Sequence, residues 1–305
     1  MSTSRTYSEA KDLQSMIGLL DVVRTADRLT DYPSAVDLQE ILALADVRNN
    51  TRLWFDAKNQ LVAFALVDHY HNLRFELDPR AADRSIEFEM VAWGVECIRR
   101  ALHDGDPSLT LDASCGDDDA ERIALLERHG FVRQEMRSLH MVRPLDEPVA
   151  TPRVPAGFAI RHVAGDQEVE ALVALHRAAF GTQNMTVEER LAMMHLPNYD
   201  PELDLLVTAP DGQFAAYCMC CISPEENART GRNVGHTDPV GTHPAFQRRG
   251  LAKALLLTGL HKLKQRGLDA AVLGTNSDNV AMQRTAQAVG FRVHSTLLWF
   301  AKSVS

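Results

Sequence analysis

Apolar positions in the second half of the chain follow two periods. Val169, Leu172, Val173, Leu175, His176 and Phe180 fall near helical spacing, and Asp166 stands where it can cap that helix. Thr186 and Glu189 have the spacing of a capping box, so a second helix is expected from Thr186 to Leu196. Short strand-like runs cover 158–163, 203–208 and 213–222, the last two joined by the turn Pro210-Asp211-Gly212. One further strand is expected over 233–242 and a helix over 250–266, closed by Gly267. A strand over 270–275, a helix over 279–289 closed by Gly290, and one or two strands over 291–301 complete the half. In the first half, Leu13, Ile17 and Leu20, and again Val91, Val95 and Ile98, form helical stripes of the kind that face a core. Strands outnumber helices and only part of the chain alternates strand with helix. The predicted class is therefore mixed α/β (α+β), a mixed sheet with helices on both faces.

The two halves repeat one plan. Residues 125–131, ending in Gly130-Phe131, match 285–291, ending in Gly290-Phe291, at an offset of 160 positions. At the same offset Asp78-Pro79 falls on Asp238-Pro239, and upstream Asn59–Phe64 parallels Gly212–Tyr217. Between the halves, Pro144, Pro148, Pro152 and Pro155 lie close together, and proline removes donors and fixes φ. The expected organisation is one domain over 1–147, a proline-rich linker over 148–156 and a second domain over 157–305.

Composition narrows the function classes. The formal net charge of −9 argues against a nucleic-acid coat or a basic membrane-surface protein, and the apolar runs are shorter than a membrane span. The polar N-terminus has no secretory pattern, and five cysteines show no disulfide framework, so a cytoplasmic location is expected. Cys218, Cys220 and Cys221 lack the paired spacing of a metal site and read as strand core. His69 and His71 are expected on one strand face with no further ligand, and no metal is expected.

The candidate chemistry sits in Val240-Gly241-Thr242-His243-Pro244-Ala245-Phe246-Gln247-Arg248-Arg249-Gly250-Leu251-Ala252, which runs from a strand through a loop into an apolar helix. A helix start leaves backbone N–H groups unpaired and carries partial positive charge, which suits an anion such as a phosphate. Gly250 and Ala252 leave room for close approach, and Arg248 and Arg249 add positive charge in an acidic protein.

The whole order (strand, His-Pro-x-Phe, Gln-Arg-Arg-Gly-Leu-Ala, helix, strand, Asn-x-x, helix, Gly-Phe) resembles the GNAT superfamily of N-acetyltransferases, from about residue 158 to the end. The resemblance implies acetyl-CoA as co-substrate and a splayed pair of parallel strands in a mostly antiparallel sheet. Its pyrophosphate would rest on Gln247, Arg248, Arg249, Gly250, Leu251, Ala252 and Lys253, and its pantetheine arm along Val240, Gly241 and Thr242. Asn276 and Asn279 would lie on the far lip, and a backbone N–H near Thr242 would be the oxyanion donor. Asp238 or His236 is the candidate base. The family's usual acid, a tyrosine in the last helix, is replaced by Ala286, with water or Thr285 as possible substitutes.

At the 160-residue offset Gly250 corresponds to Met90, Gln247 to Glu87 and Arg249 to Glu89, which implies a degenerate first domain without a CoA site. The tandem arrangement is similar in architecture to that of mycothiol synthase relatives within the superfamily. The acceptor is expected to be a small-molecule amine, and the protein a monomer or homodimer. A CoA-binding sensor, or an acetyltransferase acting on protein N-termini or lysines, are the alternatives.

Overall fold

The computed structural model describes residues 3–25, 28, 33–81, 84–101, 109–183, 185–196 and 198–304, which divide into two units. The first comprises residues 1–137 together with 296–305, the second residues 138–295.

The first unit begins with strand β1 (Thr3–Thr6) and helices α1 (Ala10–Val23), α2 (Ala35–Ile41) and α3 (Ala45–Asn49). Strands β2 (Thr51–Phe55), β3 (Leu61–Val67) and β4 (Leu73–Leu77) complete an antiparallel sheet of order β1-β2-β3-β4. Then come helix α4 (Arg84–Ala101), strand β5 (Thr110–Gly116), helix α5 (Ala120–Arg128) and the start of strand β6 (Val132–Pro144). Met16, Leu19 and Leu20 of α1 pack on Leu53, Phe64 and Leu66 of one sheet face. Ile86, Met90, Val91 and Val95 of α4 pack on the other, against Trp54, Ala63, Leu73 and Phe75.

The second unit continues with strand β7 (Ala159–His162), helices α6 (Val169–Phe180) and α7 (Val187–Met194), and strands β8 (Asp204–Thr208) and β9 (Phe214–Met219). Helix α7 opens on the capping box expected from the sequence, Thr186 with Glu189. A short helix α8 (Pro224–Thr230) follows, then strands β10 (Val234–His236) and β11 (Val240–Thr242), helix α9 (Leu251–Gln265), strand β12 (Ala270–Asn276), helix α10 (Val280–Gln287) and strand β13 (Arg292–Ser303). The sheet order is β11-β9-β8-β7, all antiparallel. The apolar face of α9, including Leu251, Leu255, Leu256 and Leu260, packs on Leu205, Val207, Ala216 and Cys218.

Each unit is completed by a strand from the other half of the sequence. Strand β5 pairs antiparallel with Leu297–Ser303 of β13, so Leu298 and Phe300 enter the first core. Strand β12 pairs antiparallel with Ser138–Pro144 of β6, so Met141 enters the second. The proline-rich stretch therefore lies within the second unit's residue range.

Several expectations need correcting. Asp166 does not cap the helix after it: it lies in a 3-10 turn, and the N-cap of α6 is Glu168, with no side-chain bond. The single strand expected over 233–242 is two strands, β10 and β11, because Pro239 has no N–H to continue a ladder. His69 and His71 lie in the tight β3–β4 turn, not on a strand. There the Asp68 carboxylate accepts from the amides of Tyr70 and Asn72, at 2.9 and 3.0 Å.

Candidate active site

The site is built where β10 and β11 part company. Val234–His236 pairs in parallel with Ala270–Val272 of β12. Thr237 donates its N–H and its Oγ1 to the Val272 carbonyl, at 2.9 and 3.1 Å. Beyond that point the chain leaves β12: Val240, Gly241 and Thr242 pair antiparallel with Cys218, Tyr217 and Ala216 of β9. The result is a splay between β11 and the second half of β12, with β11 at the edge of its sheet. A Cβ on Gly241 would come within 2.6 Å of Tyr217 Cε1 and 3.1 Å of Ala179 Cβ, so glycine lets α6 and Tyr217 press on this strand.

From β11 the chain passes through a 3-10 turn at Pro244–Phe246 and an exposed loop, Gln247–Gly250, into α9. Arg248 and Gly250 both take left-handed backbone, with φ of 61° and 78°. Gly250 is the N-cap of α9 and no side chain caps the helix. Its amides at Leu251, Ala252 and Lys253 thus open a helix whose partial positive charge has no acidic side chain in the first turn to offset it. A Cβ on Gly250 would meet nothing within 4 Å, so the loop beside it is open. The Arg249 guanidinium lies over the rings of Phe246 and Phe158, 5.6 and 5.8 Å from their centroids, and Gln247 Nε2 donates to the Thr242 carbonyl at 3.4 Å. Residues 247–253 therefore form one continuous exposed loop and helix start next to the splay.

Asn276 and Asn279 hold the opposite lip by local bonds. The Asn279 side chain caps α10 by accepting from Met282 N at 3.0 Å, and Asn276 Oδ1 accepts from Asn279 N at 2.8 Å. Ala286 is fully buried in the second core beside Phe291, and Thr285 Oγ1 donates to the Ala281 carbonyl at 2.8 Å.

Asp238 occupies the gap itself. Its Oδ2 accepts from Gly274 N at 3.4 Å, taking the place of a backbone partner where the ladder with β12 ends. Its Oδ1 is sealed from solvent and has no hydrogen-bond donor among the described residues. Burial raises the carboxyl above the ordinary carboxylate range, against the lowering effect of His236, the Gly274 amide and His140. A buried carboxylate oxygen without a donor favours the protonated form of the group. His236 stands beside it on β10, opposite Val272. Sequence reasoning missed His140, which lies 98 positions from Asp238 and reaches it only through strand pairing.

A small cavity of about 70 Å³ borders the same turn, walled by Pro239, Leu172, Met185, Met193, Met219 and Tyr217. Tyr217 shares a 2.6 Å hydrogen bond with His176 Nδ1. Burial lowers the His176 pKa, with nearby Arg190 adding to the effect, and burial raises that of Tyr217. The pair is thus held neutral.

Superposing the strand pairings locates the equivalent residues in the first unit. Ala63 lies opposite Leu77 as Ala216 lies opposite Thr242, and the Asn72–Asp112 bridge stands where Thr237 meets Val272. Pro79 is therefore the counterpart of Pro244, each opening a 3-10 turn, and not of Pro239. The 160-residue offset holds from β5 and β12 onward but not across the loop before α4. Glu87 and Glu89 lie inside α4, where Glu87 pairs with Arg128 at 2.7 Å and Glu89 accepts from Trp54 Nε1 at 2.9 Å. The counterpart of Asp238 is Leu73, part of the first core. The counterpart of Gly241 is Glu76, clamped by Arg24 and Arg122 at the wall of a cavity of about 570 Å³.

A parting strand pair beside an uncapped helix start is the layout that the resemblance to N-acetyltransferases implies. A profile described as the acetyltransferase (GNAT) family matches residues 169–291. The chain belongs to the GNAT acetyltransferase family, and it is an acyltransferase. It is 30% identical to the mycothiol acetyltransferase of a Nocardioides species over 298 residues, covering 92% of this chain and 94% of that protein. It is 30% identical to the mycothiol acetyltransferase of Frankia alni over 243 residues, 74% of this chain and 71% of that one. In fold it is similar to a tandem GNAT protein from the clavulanic acid biosynthesis pathway, with a TM-score of 0.73 and 15% identity, covering 100% of this chain and 98% of that one. Among the described residues no helix is long and apolar enough to cross a membrane.

Proposed function

We propose that the second unit transfers an acetyl group from acetyl-CoA to the primary amine of a small-molecule acceptor. The observation that carries this reading is the open cradle at 247–253 running directly from the free edge of β11. The amides of Leu251, Ala252 and Lys253, with Arg248 nearby, suit a pyrophosphate. The backbone of Val240–Thr242 suits the amides of a pantetheine arm, which would add to the sheet as a strand does. Acetyl-CoA itself supplies an activated thioester whose thiol, with a pKa near ~8.5, leaves without strong acid help.

Asp238 is the base in this reading. The acceptor's ammonium loses its proton to the Asp238 carboxylate, whose hold on a proton is strengthened by burial. The first unit, with Leu73 at this place, has no equivalent base, which supports one reaction centre per chain. The relatives' name favours an acceptor of the mycothiol type, and the methionine-lined cavity beside Pro239 suits a small polarisable group next to the amine.

The test is CoA release from acetyl-CoA over a panel of primary amines that includes aminosugars and low-molecular-weight thiol amines. Turnover is expected with at least one, and Asp238→Asn is expected to lower kcat by about 100-fold or more with the KM for acetyl-CoA unchanged. Normal turnover in that variant would remove Asp238 from the mechanism.

A further inference from the structure

We propose that His140, on the strand that the first half of the sequence lends to the second unit, is the proton relay behind Asp238: it faces the carboxylate across Gly274. The inference rests on the reading of Asp238 as base.

The geometry is that of three adjacent strands. His140 lies directly opposite Gly274 in the antiparallel β6–β12 pair, so their side chains project from the same sheet face. A Cβ on Gly274 would point at Asp238 Oδ2, 3.3 Å away, which puts the Asp238 carboxylate on that same face. Directly opposite Cβ positions are roughly 4.5–5.5 Å apart, within the reach of an imidazole. Glycine at 274 puts no side chain of its own between the two groups. The flanking positions on that face, Val142 opposite Val272 and Ser138 opposite Asn276, carry no charge. His236, opposite Val272 on the far side, is the other titratable neighbour of the carboxylate.

The first unit supplies an internal control. There Ser114 stands for Gly274 and Trp299 for His140, and Leu73 stands for Asp238. The histidine and the carboxylate are present together in one unit and both missing from the equivalent positions of the other.

The step balances as a proton transfer. The acceptor ammonium gives its proton to Asp238. Asp238 passes it to a ring nitrogen of His140, returning to the carboxylate, and the imidazolium releases it to water from its half-exposed edge. His140 acts through Asp238 and does not touch the acceptor, so it is a positioning and relay residue.

Two measurements on the full-length chain test this. In the first, His140 is titrated by NMR in the resting protein. Asp238→Asn should lower its midpoint by about half a unit or more, since a neighbouring carboxylate favours the imidazolium. An unchanged midpoint overturns the proposal without needing any acceptor. In the second, His140→Ala should lower kcat by about 10-fold or more, leave the KM for acetyl-CoA unchanged, and regain turnover when imidazole is added to the buffer. Full activity in His140→Ala, or a loss that imidazole does not restore, also overturns it. Where Asp238→Asn loses turnover and His140→Ala does not, the relay alone fails. Where neither variant loses turnover, or no amine supports it in the parent protein, the reading of Asp238 fails first.

Discussion

Gly250 shows how a single residue's backbone can shape a loop, here the one proposed to hold the pyrophosphate. Its φ of 78° is costly for any side-chain-bearing residue, yet a Cβ there would meet open space. Strain and charge are therefore separable. Gly250→Ala should weaken acetyl-CoA binding only several-fold, corresponding to about 1 kcal/mol of backbone cost. Gly250→Asp should abolish it, because a carboxylate would stand among the amides proposed to hold the phosphates. Isothermal calorimetry on both variants checks this, and equal affinities would contradict the cradle. Asp12 offers a prediction of a different kind. Two bonds from Arg5, at 2.8 and 2.5 Å, hold its buried carboxyl down at about 2. A folded-state value below the unfolded ~3.9 contributes stability that is full above pH 4 and lost as pH falls toward 2. The advantage of the parent over Asp12→Asn, about 2 kcal/mol at neutral pH, should vanish across that window, as denaturant unfolding followed by tryptophan fluorescence would show. That a helix starts at Gly250 could be read from the sequence, because an apolar run at helical spacing follows it. His140 could not, since nothing near it in sequence points to Asp238.

Elements with strong internal signals were legible. Helix α7 announces itself through Thr186 and Glu189, and α9 through leucines at helical spacing before Gly267. Helix α8 was missed because Pro224–Thr230 is short, polar and without an apolar stripe, and is held by its Ser223 cap. The break between β10 and β11 was missed because the strand-like pattern runs on past Pro239, the residue without an N–H for a ladder. On either side of it the chain takes a different neighbour, β12 and then β9. That arrangement makes the packing of α6 on β11 tight. Gly241→Ala should force a methyl group against Tyr217 and Ala179 and cost about 1–3 kcal/mol. A thermal melt unchanged from the parent would show that α6 can yield. If α6 does shift, the His176–Tyr217 hydrogen bond shifts with it.

The repeat of one plan along the chain was legible as matched motifs, Gly130-Phe131 and Gly290-Phe291 above all. The lending of a final strand by each half to the other unit was not, since pairing partners well over 100 positions apart leave no local trace. A fragment ending at residue 137 should therefore fail as a folded unit. It lacks Leu298, Phe300 and Val304 of its own core, and losing even one large buried side chain costs about 2–5 kcal/mol. Circular dichroism and gel filtration should find it unfolded or aggregated, and a synthetic peptide covering 296–305 should restore it. A soluble, cooperatively melting fragment without the peptide would contradict the arrangement.

The same feature sets an order of events on the ribosome. The half translated first carries an open strand edge, Thr110–Gly116, whose partner, Leu297–Ser303, is made only after the whole second unit. Until that partner emerges, the edge offers unpaired N–H and C=O groups and the apolar side chains of Leu111 and Ala113 to whatever passes. A stop codon just before Leu297 would do its damage far upstream, in the unit that was encoded first.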